Sequence, residues 1–257
     1  MNIILLKLIL TPLIIILATF AVRRWGPVVG GWIVGLPLTS GPVSVFLYLE
    51  QGREFAAVAA GSTIFGTLAF VSFCLAYARA ARKFPWQGAA LIALAANFTA
   101  ICITSQLRLP PVPATLAVVA LVALALYLEG SAVAEIVVMP APWWDLPFRM
   151  VAATTVVMGV TYVSSQLGPA VSGVLSTFPV FICVMSIFTH KMCGTANVIQ
   201  LERGVTTGAF SFAAFFLVVA LTMRTLHPAL AYGLACLVTV AVNLGLMLLG
   251  SVVAKRS

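Results

Sequence analysis

Two prolines set the chemistry this chain can support. Pro37 stands in the run Pro37-Leu38-Thr39-Ser40-Gly41-Pro42 inside an otherwise apolar stretch, and Pro179 stands in a second one, between Phe178 and Val180. A proline within a helix removes a backbone donor and frees a carbonyl. In lipid, freed backbone groups survive only where protein or a wet cavity receives them. Thr39 and Ser40 add hydroxyls to the first break, and Asn97 and Asn243 place amides within apolar runs. The substrate-binding set read from sequence is therefore Pro37, Thr39, Ser40, Asn97, Pro179 and Asn243. Carbonyls, hydroxyls and amides of this kind suit a small neutral or amphipathic solute better than a multivalent ion.

Charged candidates are few. Lys7 and Arg149 lie near the starts of apolar runs. They are either counter-charges for an anionic substrate or cations that snorkel to the membrane surface, and snorkelling is the favoured reading. Trp143, Trp144 and Asp145 beside Arg149 read as an interfacial belt. Glu50 and Glu202 are the acids nearest the breaks, with Glu202 read as capping the start of a helix. Glu54, Glu129, Glu135 and Asp145 complete the acids, and none falls in the middle of an expected span. On that reading no proton relay is evident, because relays use a buried acid or histidine. His190 and His227 are single and terminal.

Metallohydrolase, nucleophile-elbow, Walker and dinucleotide-binding motifs are all absent, which argues against an enzyme. The five cysteines form no C-x-x-C and no Cys/His cluster, so neither a metal nor another cofactor is indicated. The net charge of +8 is not arranged as a basic stripe, so no nucleic-acid partner is expected.

The elements that position these residues are membrane-spanning helices. The chain is 62% hydrophobic and 8% charged, against roughly 25% charged in soluble domains. Its expected partner is the lipid bilayer. A spanning helix needs ~20 mostly apolar residues. About nine windows meet that criterion: residues 3–22, 27–49, 55–78, 86–107, 113–128, 147–167, 169–189, 204–223 and 228–253. Residues 129–146 are more polar. With these spans, ten Lys and Arg fall on one side and four on the other. The richer side is cytoplasmic by the positive-inside rule, giving an outside N-terminus and a cytoplasmic C-terminus.

The spans repeat. Gly26-Pro27-Val28-Val29-Gly30-Gly31 leading to Pro37 returns as Gly168-Pro169-Ala170-Val171-Ser172-Gly173 leading to Pro179, at a constant offset of 142 (168−26, 179−37). Gly52 and Gly194, Phe70 and Phe212, Phe73 and Phe215, and Lys7 and Arg149 keep that offset. Pro27 and Pro169 suit the first position of a helix, where no amide donor is needed. Gly31 and Gly173 leave faces without bulk for close packing, as does Gly204-x-x-x-Gly208. Asn97 and Asn243 sit on partner helices with a register slip of about one turn.

The expected fold is thus an all-α polytopic membrane protein. Residues 1–109 form a first repeat of four helices, 110–146 a linker helix and loop, and 147–257 a second repeat. One intervening helix turns the second repeat over, giving inverted topology.

The duplicated Gly-Pro-x-x-x-Gly…Pro unit resembles small uncharacterised bacterial inner-membrane proteins. The architecture resembles inverted-repeat secondary transporters with interrupted helices. That resemblance implies a transporter or exporter of a small metabolite in the plasma membrane. A non-transporting accessory subunit or assembly factor, using its small-residue faces to bind other helices, is the alternative. Either would leave room for a homo-oligomer.

Overall fold

The computed structural model describes residues 3–26, 29, 32–33, 36–37, 40–107, 109–129, 144–152, 154–155 and 179–254. Six helices are delimited: α1 (Ile3–Trp25), α2 (Ser40–Ala80), α3 (Trp86–Thr104), α4 (Pro111–Glu129), α5 (Val180–Thr222) and α6 (Pro228–Ala254). Residues 145–152 are also helical, and no strand occurs among the described residues. Five of the helices are long and apolar enough to cross a membrane. The expected span at 147–167, and the first halves of those at 27–49 and 169–189, lie largely outside the described residues.

Prolines punctuate the helices as their chemistry requires. α4 and α6 begin on Pro111 and Pro228, and Pro85 and Pro179 precede α3 and α5. A proline there sacrifices no helical hydrogen bond.

α2 and α5 are each bent once, at matched glycines. Gly52 has φ 85° and ψ 179°, and Gly194 has φ 81° and ψ 179°. Only glycine adopts that backbone without strain. Each long element is therefore a short helix, a sharp joint and a spanning helix. The offset of 142 persists beyond the joints. α2 and α5 end at Ala80 and Thr222, and α3 and α6 begin at Trp86 and Pro228.

The spanning parts of α2 and α5 pack antiparallel. At one end Arg224 bonds Glu54 in a fork, with Nε to Oε2 at 2.9 Å. At the other end Tyr77 Oη meets His190 Nδ1 at 3.5 Å, and Lys191 stands over the Trp86 ring. Arg79, Arg82 and Lys83 close the same end as Lys191 in the chain, and Arg53 neighbours Glu54 at the other. Between the ends Phe70 and Phe212, one offset apart, meet edge to face at 5.3 Å.

Because lipid is as apolar as leucine, small residues that let backbones approach are what hold such helices together. Ala56, Ala60 and Ile64 of α2, Ala209 and Ala213 of α5, Ala231 and Ala235 of α6, and Val118 and Val122 of α4 form one buried cluster. α4 packs against both α2 and α5. Gly204 and Gly208 are buried on α5, in keeping with a packing role. Large apolar side chains face outward instead, among them Leu91, Leu116, Tyr127, Leu230 and Leu237. Several hydroxyls within the spans bond their own helix, as Ser72 Oγ does to Leu68 O at 2.7 Å and Thr239 Oγ1 to Ala235 O at 2.7 Å.

Candidate functional site

Helices begin just after both prolines read from sequence. Leu36 and Pro37 form a bend, and the Gly41 N–H donates to Pro37 O at 2.8 Å. One offset later, the Cys183 N–H donates to Pro179 O at 2.8 Å. From there the helix runs from Ser40 to the Gly52 joint, and from Val180 to the Gly194 joint. At 1.5 Å per residue these pieces are about 18 and about 20 Å long. Neither crosses a hydrocarbon core of ~30 Å. Each is a half-helix whose N-terminal amides carry the positive end of a dipole. Pro179 is buried, while Pro37 and Ser40 are half-buried. Thr39 lies outside the described residues.

Each half-helix leans on the other half of the chain. Gly41 is buried against the Phe215 ring of α5, and Ser44 Oγ lies 3.0 Å from Tyr232 Oη of α6. In the reverse sense, Ile182 and Cys183 pack with Phe73 and Tyr77 of α2 and Ala90 and Ala93 of α3. Gly41 and Cys183, and Phe215 and Phe73, are offset pairs, so the two contacts are counterparts.

α5 begins its spanning part earlier than its hydropathy suggests. The helix runs unbroken from Thr195, where sequence placed a start at residue 204. This brings Asn197, Gln200 and Glu202 into the helix, all buried, and Thr206 is buried further along it. Glu202 has no solvent exposure at all. It is not a cap at a helix start, and the expectation that no acid lies within a span is corrected. Arg203 is half-buried on the same helix. Lys191, Glu202 and Arg203 had lowered the apparent hydropathy of this stretch. Its available signal was Gly194, the offset partner of Gly52, where the helix should restart.

Glu202 lies on α5 between Val198 and Val205, which pack with Tyr77 and Cys183. Tyr77 in turn meets His190, so Tyr77, Cys183, His190 and Glu202 form one polar cluster beside the second half-helix. Tyr77, Cys183 and the buried amides of α5 are residues that sequence reasoning missed.

Asn97 is fully buried on α3, and neither atom of its amide has a hydrogen-bond partner. Its offset partner is Thr239, buried on α6, and the matched starts of α3 and α6 leave no register slip. Asn243 is half-exposed one turn further on.

Arg149 does not snorkel. Its Nε donates to Asp145 Oδ1 at 2.9 Å, its side chain is 6% exposed and that of Asp145 is 0% exposed. Arg23 of α1 binds the other carboxylate oxygen at 2.8 Å. The Arg149 guanidinium also covers the Phe188 ring and reaches Met185 Sδ at 3.6 Å. This triad fastens α1 to the second half-helix, and Asp145 is part of it, not of an interfacial belt. Lys7 and Glu50 are helical, and their side chains lie outside the described residues, as do Pro27, Gly31, Gly168, Pro169 and Gly173. Gly26 closes α1, its N–H donating to Val22 O at 2.9 Å.

A cavity of about 450 Å³ opens between α2, α3, α4 and α5, lined by Gly61, Ser62, Gly66, Thr104, Ser105 and Arg224 among others. It lies at the Glu54–Arg224 end, away from the polar cluster. Among the described residues no group of three His, Cys, Asp or Glu side chains is placed to hold a metal. No family model, curated protein or solved structure matches this chain.

Proposed function

We propose that the protein is a secondary transporter or exporter of a small metabolite in the bacterial plasma membrane, with its N-terminus outside and its C-terminus cytoplasmic. The observation that carries this reading is the pair of half-helices, restarting at Pro37 and Pro179, each too short to span and each seated on the opposite half. Interrupted helices in corresponding places of two halves are the arrangement that carries substrate in inverted-repeat transporters. The antiparallel packing of α2 and α5, and the contact of Phe70 with its own offset partner, support a two-fold axis in the membrane plane. Such an axis relates inverted repeats.

In this reading the solute binds between the halves, beside the half-helix N-termini. Ser40, Asn97 and buried polar residues of α5 supply its polar contacts. Rocking one half against the other opens the site to each side in turn. The interlocked half-helices make the two halves move as complementary bodies, since each carries a piece seated in its counterpart.

The test is thermal stability of the purified protein against a metabolite panel, followed by counterflow of any hit in proteoliposomes. A ligand that binds only the folded state raises its stability by mass action, ~2.7 kcal/mol at a hundredfold excess over Kd. A saturable shift, lost in Asn97→Leu and accompanied by counterflow, is the expected result. No shift across the panel, with a second protein co-purifying in stoichiometric amount, would replace this reading with an accessory subunit.

A further inference from the structure

We infer that Glu202 is a proton-binding site, loaded from the Tyr77–His190 end of the bundle. The carboxyl group is completely buried, about two turns inside the spanning part of α5. A carboxylate held away from water is costly, and burial favours taking up a proton over staying charged. Acids retained inside a membrane bundle mark ion pathways by default. The surroundings supply a route. His190 is half-buried near the end of the half-helix, its Nδ1 meets Tyr77 Oη at 3.5 Å, and Tyr77 packs with Val198 and Val205, which flank Glu202 on α5.

Cys74 and Tyr77 of α2 and Cys183 of the half-helix pack with Val198 and Val205, which flank Glu202 on α5; His190 meets Tyr77, and Arg203 follows Glu202 in the chain. Facing α3 residues are Ala89, Ala90 and Ala93. The Arg23–Asp145–Arg149 triad lies on the Met185 side of the half-helix. Tyr232 of α6 is engaged with Ser44.

The offset partner of Glu202 is Ala60, so the acid belongs to one half only. Glu202 stands beside the start of the second half-helix, where Cys183 makes its first turn. The step is simple: the carboxylate takes one proton from the His190 side to become the neutral acid, and releases that proton when the site is exposed to the other face. Coupling to solute rests on the transporter reading, but proton binding does not.

Infrared titration of the full chain in lipid vesicles tests the assignment without any substrate. The expected result is a protonated-carboxyl C=O band that titrates with pH, shifts in deuterium oxide, is lost in Glu202→Gln and is retained in Glu54→Gln. Glu202→Asp should keep such a band with a displaced midpoint, which covers the case of a Gln variant that does not fold. A wild-type spectrum with no titrating buried carboxyl, or a band unaffected by Glu202→Gln, overturns the proposal. So does a midpoint that moves when sodium replaces choline, which would assign the site to a metal cation. Absence of solute counterflow with the band intact would remove the transporter reading and leave the proton site standing.

Discussion

Replacing Gly194 by alanine should weaken the fold, although nothing lies in the way of the added methyl. No atom lies within 4 Å of a Cβ built at Gly194, and the same is true of Gly52. The cost is in the backbone, at φ 81° and ψ 179°. Holding a non-glycine residue in such a region costs on the order of 1–3 kcal/mol. Straightening the joint would relieve the strain. But an unbroken helix from Val180 to Thr222 would be about 64 Å long, twice a hydrocarbon core of ~30 Å. The bilayer therefore keeps the joint bent and the strain remains.

The chain supplies its own control. Gly233 and Gly245 also have open space at the Cβ but sit within α6 with ordinary backbone. Alanine there should stabilise by up to ~1 kcal/mol through helix propensity. Reversible denaturation in mixed micelles should then separate the joint variants from the helix variants by about 2–4 kcal/mol. Equal stability of Gly194→Ala and Gly233→Ala would refute the argument that the joint is a strained, glycine-only turn.

Three further outcomes follow from buried groups. Asp145→Ala leaves Arg149 buried without its carboxylate and should cost about 3–5 kcal/mol, measured by the same denaturation. Asn97→Leu removes an amide with no partner in the structure and should stabilise by ~1–3 kcal/mol, while abolishing ligand-induced thermal shifts. A double-mutant cycle on Phe70→Ala and Phe212→Ala should return a coupling of about 0.5–1.5 kcal/mol, and a coupling near zero would remove the ring contact from the α2–α5 seam.

The breaks were legible because proline acts locally. Pro37 and Pro179 each precede a helix whose first hydrogen bond returns to the proline carbonyl, and that needs no tertiary information. The start of α6 at Pro228 was legible for the same reason, and α4 begins at Pro111, two residues before the expected start at 113. The joints at Gly52 and Gly194 were visible as an offset pair, but their positive φ was not. Glu202 was misplaced because hydropathy averages along the chain, whereas its burial comes from α2 and the half-helix folding over it. Arg149 was misread likewise. A cation near the start of an apolar run looks interfacial until Asp145 and Arg23 are brought to it from the fold. The Asn97–Asn243 pairing failed on residue type. The matched starts of α3 and α6 make Thr239, a hydroxyl, the counterpart of the amide.

Two-sided access at the first break is the most direct test of alternating access. A single cysteine at Ser40, in a background where the five native cysteines are replaced, can be probed with a membrane-impermeant thiol reagent. Right-side-out and inside-out vesicles present the two faces separately. The account predicts labelling of Ser40→Cys from both faces, because a half-helix start between two moving halves is exposed to each side in turn. Labelling from one face only, or from neither, would contradict it and leave the half-helices as fixed parts of a static bundle.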